Sequence, residues 1–251
     1  MKQWIWFAAV LLLVRIGIHA QGSAGELALY ESQRIVDMPT AGILPRSGIA
    51  LRAIAFDEGG LLAEALVSPL AQLQFGLGYS GIGVISNRSV QWQGVPALLV
   101  RWRFLDETLT LPALAVGIET LGRDAVNNNS FATPAPGAYL VASKQFRWWL
   151  GGCAVHGGVG YGFDLRFNGT TVNAWLGIEQ SLGRSLAMSL EVNPQSVEYS
   201  KPVLVSAVIR WSVIRGGTLE LYVRDLSAQR SNQPTRAFGV ELITLLPQVL
   251  W

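Results

Sequence analysis

The chain has 251 residues, 50% of them hydrophobic and only 14% charged, with nine tryptophans, 27 glycines and a formal net charge of +2. Soluble domains carry about 25% charged residues, so this composition excludes general disorder and implies apolar surface that meets something other than water. A single large domain fits the length, since all-β barrels of this size are commonly undivided.

The first twenty residues have the pattern of a secretory signal. Lys2 supplies the positive start, Trp4 to Val14 the apolar run, and Ile18-His19-Ala20 a small-residue cleavage site. The competing reading is an anchoring helix. Arg15 weakens it, because a span wants about 18 uninterrupted apolar residues. Cleavage would remove Lys2 and Arg15 and leave basic and acidic residues balanced, which gives no electrostatic basis for nucleic-acid binding. Residues 21–46 follow as an N-terminal segment without clear alternation. Two placements stay open: a plug entering a barrel lumen with Met38-Pro39-Thr40, or a disordered stretch in the periplasm.

From Ser47 to the end the chain alternates with the period of two expected of strands whose faces differ. Weaker alternation at Gly48–Phe56 and Leu61–Ser68 leads to a nearly ideal case, in which Leu73, Phe75, Leu77 and Tyr79 oppose Gln72, Gln74, Gly76 and Gly78. The pattern continues at Leu98–Phe104, Ala113–Glu119, Ala138–Phe146, Val155–Phe163, Val172–Glu179, Leu186–Val192, Val203–Trp211, Leu219–Arg224 and Phe238–Leu242. About twelve strands result, each close to the length a tilted strand needs to cross hydrocarbon. An even count lets a closed antiparallel barrel return both termini to one side without leaving a sheet edge. The long gaps Ser80–Gly94, Leu121–Ala135 and Leu226–Thr235 follow odd strands. Tight turns at Pro69, Arg147–Gly151, Gly183-Arg184 and Arg215–Gly217 follow even ones. That parity is expected of an outer-membrane barrel with short periplasmic turns and long external loops. The fold class is therefore all-β: one antiparallel transmembrane barrel over 47–251, in the cell outer membrane.

Alternation alone does not say which face is inside. The small-residue face, rich in Gly, Ala, Ser and Gln with isolated charges, fits a crowded lumen better than a solvent face, which would be dense in Lys and Glu. Tyr79, Trp102, Phe104, Tyr139, Trp211 and Phe238 are candidates for an interfacial aromatic girdle in contact with outer-membrane lipid. Terminal Trp251 is similar to the aromatic end that many such barrels present to the barrel-assembly machinery, with Pro247 a departure. The expected lumen charges are Arg52, Glu64, Arg101, Arg103, Glu119, Glu179, Glu191, Arg210, Glu220, Arg224 and Glu241, with His156 beside them. Both signs occur. They serve either as a pairing network, because an unpaired charge in a low dielectric costs several kcal/mol, or as selectivity groups of a conduit.

Met38-Pro39-Thr40-Ala41, Leu73-Gln74-Phe75-Gly76-Leu77-Gly78-Tyr79, Gly94-Val95-Pro96-Ala97 and Arg103-Phe104-Leu105-Asp106-Glu107 carry a family resemblance. Pro112-Ala113-Leu114-Ala115-Val116-Gly117, Ser143-Lys144-Gln145-Phe146 and His156-Gly157-Gly158-Val159 continue it. Together, over about residues 38–192, the chain resembles the YjbH-like outer-membrane β-barrel proteins associated with exopolysaccharide production. The resemblance implies an outer-membrane barrel with polysaccharide or export-apparatus proteins as partners, and it brings no catalytic site. Asp124–Ser130 departs from the pattern.

Enzymatic chemistry has one foothold. After cleavage only His156 remains as a histidine, and Ser189, Asp164 or Asn173 are the groups that could approach it as nucleophile or orienting partner. No clustered metal-ligand spacing and no cofactor motif occur. Cys153 cannot form an intramolecular disulfide, and without a basic neighbour in sequence it reads as a packed thiol. Asn127-Asn128-Asn129-Ser130 and Asn168-Gly169-Thr170 read as loop and turn chemistry. The expected function is a non-enzymatic outer-membrane barrel, either a small channel or a component of surface-polysaccharide export. Two rivals stand beside it: a lipid-processing barrel enzyme using His156, and a soluble periplasmic binding module with its apolar face inward.

Overall fold

The computed structural model describes residues 30–127, 130–163, 171–194, 203–228 and 233–246. The expected signal peptide at 1–20, residues 21–29, Asn128, Asn129, Asp164, the 168–170 turn, Pro247 and Trp251 lie outside the described residues.

The first half of the chain forms β1 (Gly48–Phe56), β2 (Gly60–Leu70), β3 (Leu73–Ile82), the short β4 (Gln91–Trp92), β5 (Ala97–Leu105), β6 (Ala113–Glu119), β7 (Arg123–Asn127) and β8 (Ser130–Thr133). The second half forms β9 (Gly137–Trp148), β10 (Gly151–Gly162), β11 (Thr171–Leu182), β12 (Leu186–Asn193), β13 (Leu204–Ile214), β14 (Gly217–Arg224) and β15 (Thr235–Leu245). All strands except β4, β7 and β8 make one antiparallel circuit, which the β1–β15 and β2–β3 ladders complete. The result is a closed twelve-stranded barrel. Closure satisfies every edge that a membrane interior could not hydrogen-bond.

The apolar rows point outward. Leu77 is 58% exposed, Leu176 61% and Leu221 56%, whereas Arg101, Glu119, Glu179 and Glu220 on the other face are buried. The geometry of a soluble module, in which those Leu and Val rows would meet each other, is not the one the chain adopts. Tyr79, Trp102, Phe104, Trp211 and Phe238 also face outward. Tyr139 corrects the expected girdle: it is buried inside the barrel. The register pairs it with Gly117, whose missing side chain leaves room for the ring, while Leu140 takes the outward position beside Val116.

Connection lengths follow from the closed circuit. At one end, Trp148 turns to Gly151, Leu182 to Leu186 and Ile214 to Gly217. Two connections depart from that length pattern, 106–112 between β5 and β6 at this end and Asp57–Gly59 between β1 and β2 at the other, where the remaining connections are longer. One holds β4, and the 120–136 connection holds the β7–β8 hairpin, where the sequence suggested only a loop.

The core lies in the lumen, and two inserted pieces build it. Residues 30–46 run in from the short-turn end and return there to start β1. They form a hairpin-like fold in which Arg34 bridges Pro39, Ile35 N–H donates to Met38 O at 2.9 Å, and Thr40 N–H donates to Gln33 O at 3.1 Å. Ile35, Val36, Met38 and Leu44 are at most 1% exposed. Gly177 on β11 admits Ile35 because any Cβ there would strike that side chain. From the long-loop end the β7–β8 hairpin sends in Leu121 and Arg123, both buried.

Candidate functional site in the barrel lumen

Register alone creates the first charge pairs. Arg52 on β1 stands directly across from Glu64 on β2 and Glu241 on β15, and Arg210 on β13 across from Glu220 on β14. Cross-strand neighbours on one face lie about 5 Å apart at Cβ, so long side chains of opposite sign meet without backbone distortion. Arg52 contacts Glu64 and Glu220 at 3.5 Å each and also pairs with Glu241. Arg210 contacts Glu220 at 2.9 Å and Glu179 at 3.0 Å.

The inserted segments complete the network. Arg34 reaches Glu119 at 2.7 Å and Glu64 at 3.1 Å. Arg123, from the loop hairpin, reaches Glu64 at 2.8 Å and Glu119 at 3.4 Å. Asp37, at the tip of the N-terminal hairpin, pairs with Arg224 at 2.8 Å, and Arg224 also holds Asp124 at 2.9 Å. Burial and the neighbouring Arg34 pull the Arg123 guanidinium below its ordinary range, with Glu64, Glu119 and Asp37 opposing.

Backbone groups of the N-terminal segment are satisfied by wall side chains. One oxygen of Glu191 accepts the N–H groups of Val36, Asp37 and Met38, each at 2.9 Å. Arg210 donates to the carbonyls of Arg34 at 3.0 Å and Ile35 at 2.7 Å, Arg101 to that of Gly42 at 2.6 Å, and Trp175 to that of Pro39 at 3.0 Å. Ser32 donates to Glu179 at 2.8 Å. Buried backbone groups demand partners, and here the barrel wall supplies them residue by residue.

Of the lumen-facing candidates named from sequence, all but Arg103 and Glu241 are buried inside the barrel, His156 among them. Glu241 is partly buried beside Arg52. Arg103 stands at the short-turn rim, partly exposed, between Glu31 at 2.5 Å and Asp106 at 2.9 Å. Burial raises the Glu31 carboxyl above its usual range, with Arg103 acting against the rise. Sequence reasoning missed Arg34, Asp37 and Arg123 as partners of the wall charges. All three lie in segments without alternation, and only the absence of a competing fold pattern around 30–46 hinted at a lumen role.

His156 has a different partner from those expected. Its Nδ1 lies 2.8 Å from Ser143 Oγ, which also accepts the N–H of Ala41 at 2.9 Å. Ser189 is engaged elsewhere, donating to Glu179 at 3.2 Å and accepting from Arg210 at 2.8 Å. Asn173 points at Met38 Sδ, 4.0 Å away. The cause is register: Ser143 is the cross-strand neighbour of His156. Cys153 is partly buried on β10.

No family model matches the chain, and no curated protein matches it. Solved structures do. The chain is similar to the KdgM porin in complex with disordered oligogalacturonate, at 11% identity and a TM-score of 0.50 over 78% of this chain and 98% of that one. A second KdgM porin structure aligns at 12% identity, TM-score 0.49, over 78% and 98% of the two chains. The NanC porin aligns at 9% identity, TM-score 0.42, over 79% and 100%. The fold is thus that of an outer-membrane porin barrel.

Proposed function

We propose that this chain is a non-enzymatic bacterial outer-membrane β-barrel whose lumen is closed at rest by its own residues 30–46. We infer a part in a surface-polysaccharide apparatus, with transport beginning only when that segment withdraws. The observation that carries the closed state is the fit of the N-terminal hairpin to the wall, above all the three N–H groups held by Glu191. The polysaccharide part rests on the YjbH-like segments.

One of the KdgM porin structures is a complex with an anionic saccharide, oligogalacturonate. This chain offers weaker support for a polyanion, because Arg52, Arg123, Arg210 and Arg224 are all held by carboxylates. A hydrolytic role is disfavoured by the same packing. Ser143 and His156 are buried beneath the hairpin, and Ser143 Oγ already accepts the Ala41 N–H.

Planar-bilayer recording of the full chain tests the reading. The wild type should be silent, and variants that release the hairpin should conduct. Steady open-pore conductance from the wild type would defeat the closed-barrel reading. Unchanged surface polymer in a strain lacking the protein would defeat the polysaccharide part.

A further inference from the structure

The charge on the two barrel ends is arranged differently. At the short-turn end four exposed arginines follow one another around the rim: Arg46 before β1, Arg147 at the β9–β10 turn, Arg184 at the β11–β12 turn and Arg215 at the β13–β14 turn. In the strand order from β1 through β15 to β9 these turns are neighbours, so adjacent arginines sit roughly 10 Å apart, two strand spacings. Residues 146–152, 180–186 and 212–218 contain no acidic residue. Among the described residues, the acidic groups of this end are Glu31, beside Arg103 at 2.5 Å, and those of the β5–β6 connection across the rim. There Asp106 pairs with Arg103 at 2.9 Å and Glu107 with Lys144 at 3.2 Å. At the opposite end exposed Asp57, Glu58, Arg88 and Arg236 mix both signs.

Each turn arginine also borders the apolar band. Arg147 follows Phe146 and precedes Trp149, which is 85% exposed; Arg184 comes after Leu182, and Arg215 after Ile214, which is 61% exposed. An arginine in this position keeps its stem along apolar surface and its guanidinium at headgroup depth. Guanidinium groups also match phosphate geometry with paired donors. We propose that the arc of the short-turn rim carrying Arg46, Arg147, Arg184 and Arg215 is a docking surface for anionic phospholipid headgroups of the leaflet it faces. The proposal rests on the outer-membrane reading above.

The test uses the full chain in nanodiscs of mixed phosphatidylcholine and phosphatidylglycerol, with native mass spectrometry counting each retained lipid. Wild type retains phosphatidylglycerol preferentially, and R46Q/R147Q/R184Q/R215Q brings the ratio near parity. Each arginine lost lowers the preference by up to about fivefold. The variant with lysine at all four positions keeps most of it. An unchanged preference in the glutamine variant overturns the proposal. So does its abolition by inorganic phosphate, which would identify a bare anion site, or, in parallel nanodiscs doped with lipid A, loss of lipid A binding in that variant while phosphatidylglycerol binding is kept. Failure of the wild type to insert and give a heat-modifiable band is a distinct result that overturns the membrane reading along with it.

Discussion

Asp37 and Arg224, 187 residues apart, form a two-pronged buried ion pair: Arg224 Nε lies 2.8 Å from one Asp37 oxygen and 3.0 Å from the other, and Nη2 lies 2.8 Å from the latter. Arg224 also binds Asp124 of the loop hairpin. The segment entering from one end of the barrel and the hairpin entering from the other therefore share a single guanidinium, so loosening either affects both.

Breaking a buried pair by removing one partner costs about 3–5 kcal/mol, because the other charge is left uncompensated. Asp37→Asn should lower the temperature of the heat-modifiability transition and produce intermittent conductance, and Arg224→Gln should do the same. The double variant should lose less than the sum of the two. Strict additivity in that cycle would show that the pair does not hold the segment.

Glu191 separates charge from hydrogen bonding. Glu191→Ala leaves three buried N–H donors without their acceptor, at about 1–3 kcal/mol each. Glu191→Gln keeps a carbonyl oxygen in place and should be milder. With Met38→Cys as reporter in a Cys153→Ser background, maleimide labelling of folded protein should be slow in the parent, fast with Glu191→Ala and intermediate with Glu191→Gln. Equal labelling of all three would sink the account of how the hairpin is held.

The outward apolar face predicts an asymmetry between neighbouring positions. Val159→Arg, on the lipid side of β10, should destabilise the barrel by about 2–4 kcal/mol if it sits near the bilayer midplane. The same change in detergent of short chain length should cost less. Comparable stability of parent and variant in vesicles, measured by urea titration, would argue against a lipid-facing row.

His156→Ala removes one side-chain hydrogen bond while leaving Ser143 bonded to Ala41. The expected loss of stability is about 1 kcal/mol, with no change in phospholipid or lipopolysaccharide profiles of cells carrying the variant. A changed lipid profile would revive the enzyme reading.

Strand number, the two rows of each strand and most of the alternation of short and long connections could be read from the chain unaided, because side-chain direction in a strand repeats every two residues and needs only local information. Which row faces outward came from the small, polar character of the opposite face. Leu73 to Tyr79 shows its two faces without reference to any other strand. Pairing is another matter. That Tyr139 turns inward over Gly117, that His156 meets Ser143, and that Arg34, Asp37 and Arg123 neutralise the wall charges all depend on closure, which joins β1 to β15 and folds two aperiodic segments into the interior. Such contacts arise between residues up to 187 positions apart, and no periodicity along the chain records them, since they are selected by the shape and charge of a cavity that exists only once the circuit is complete.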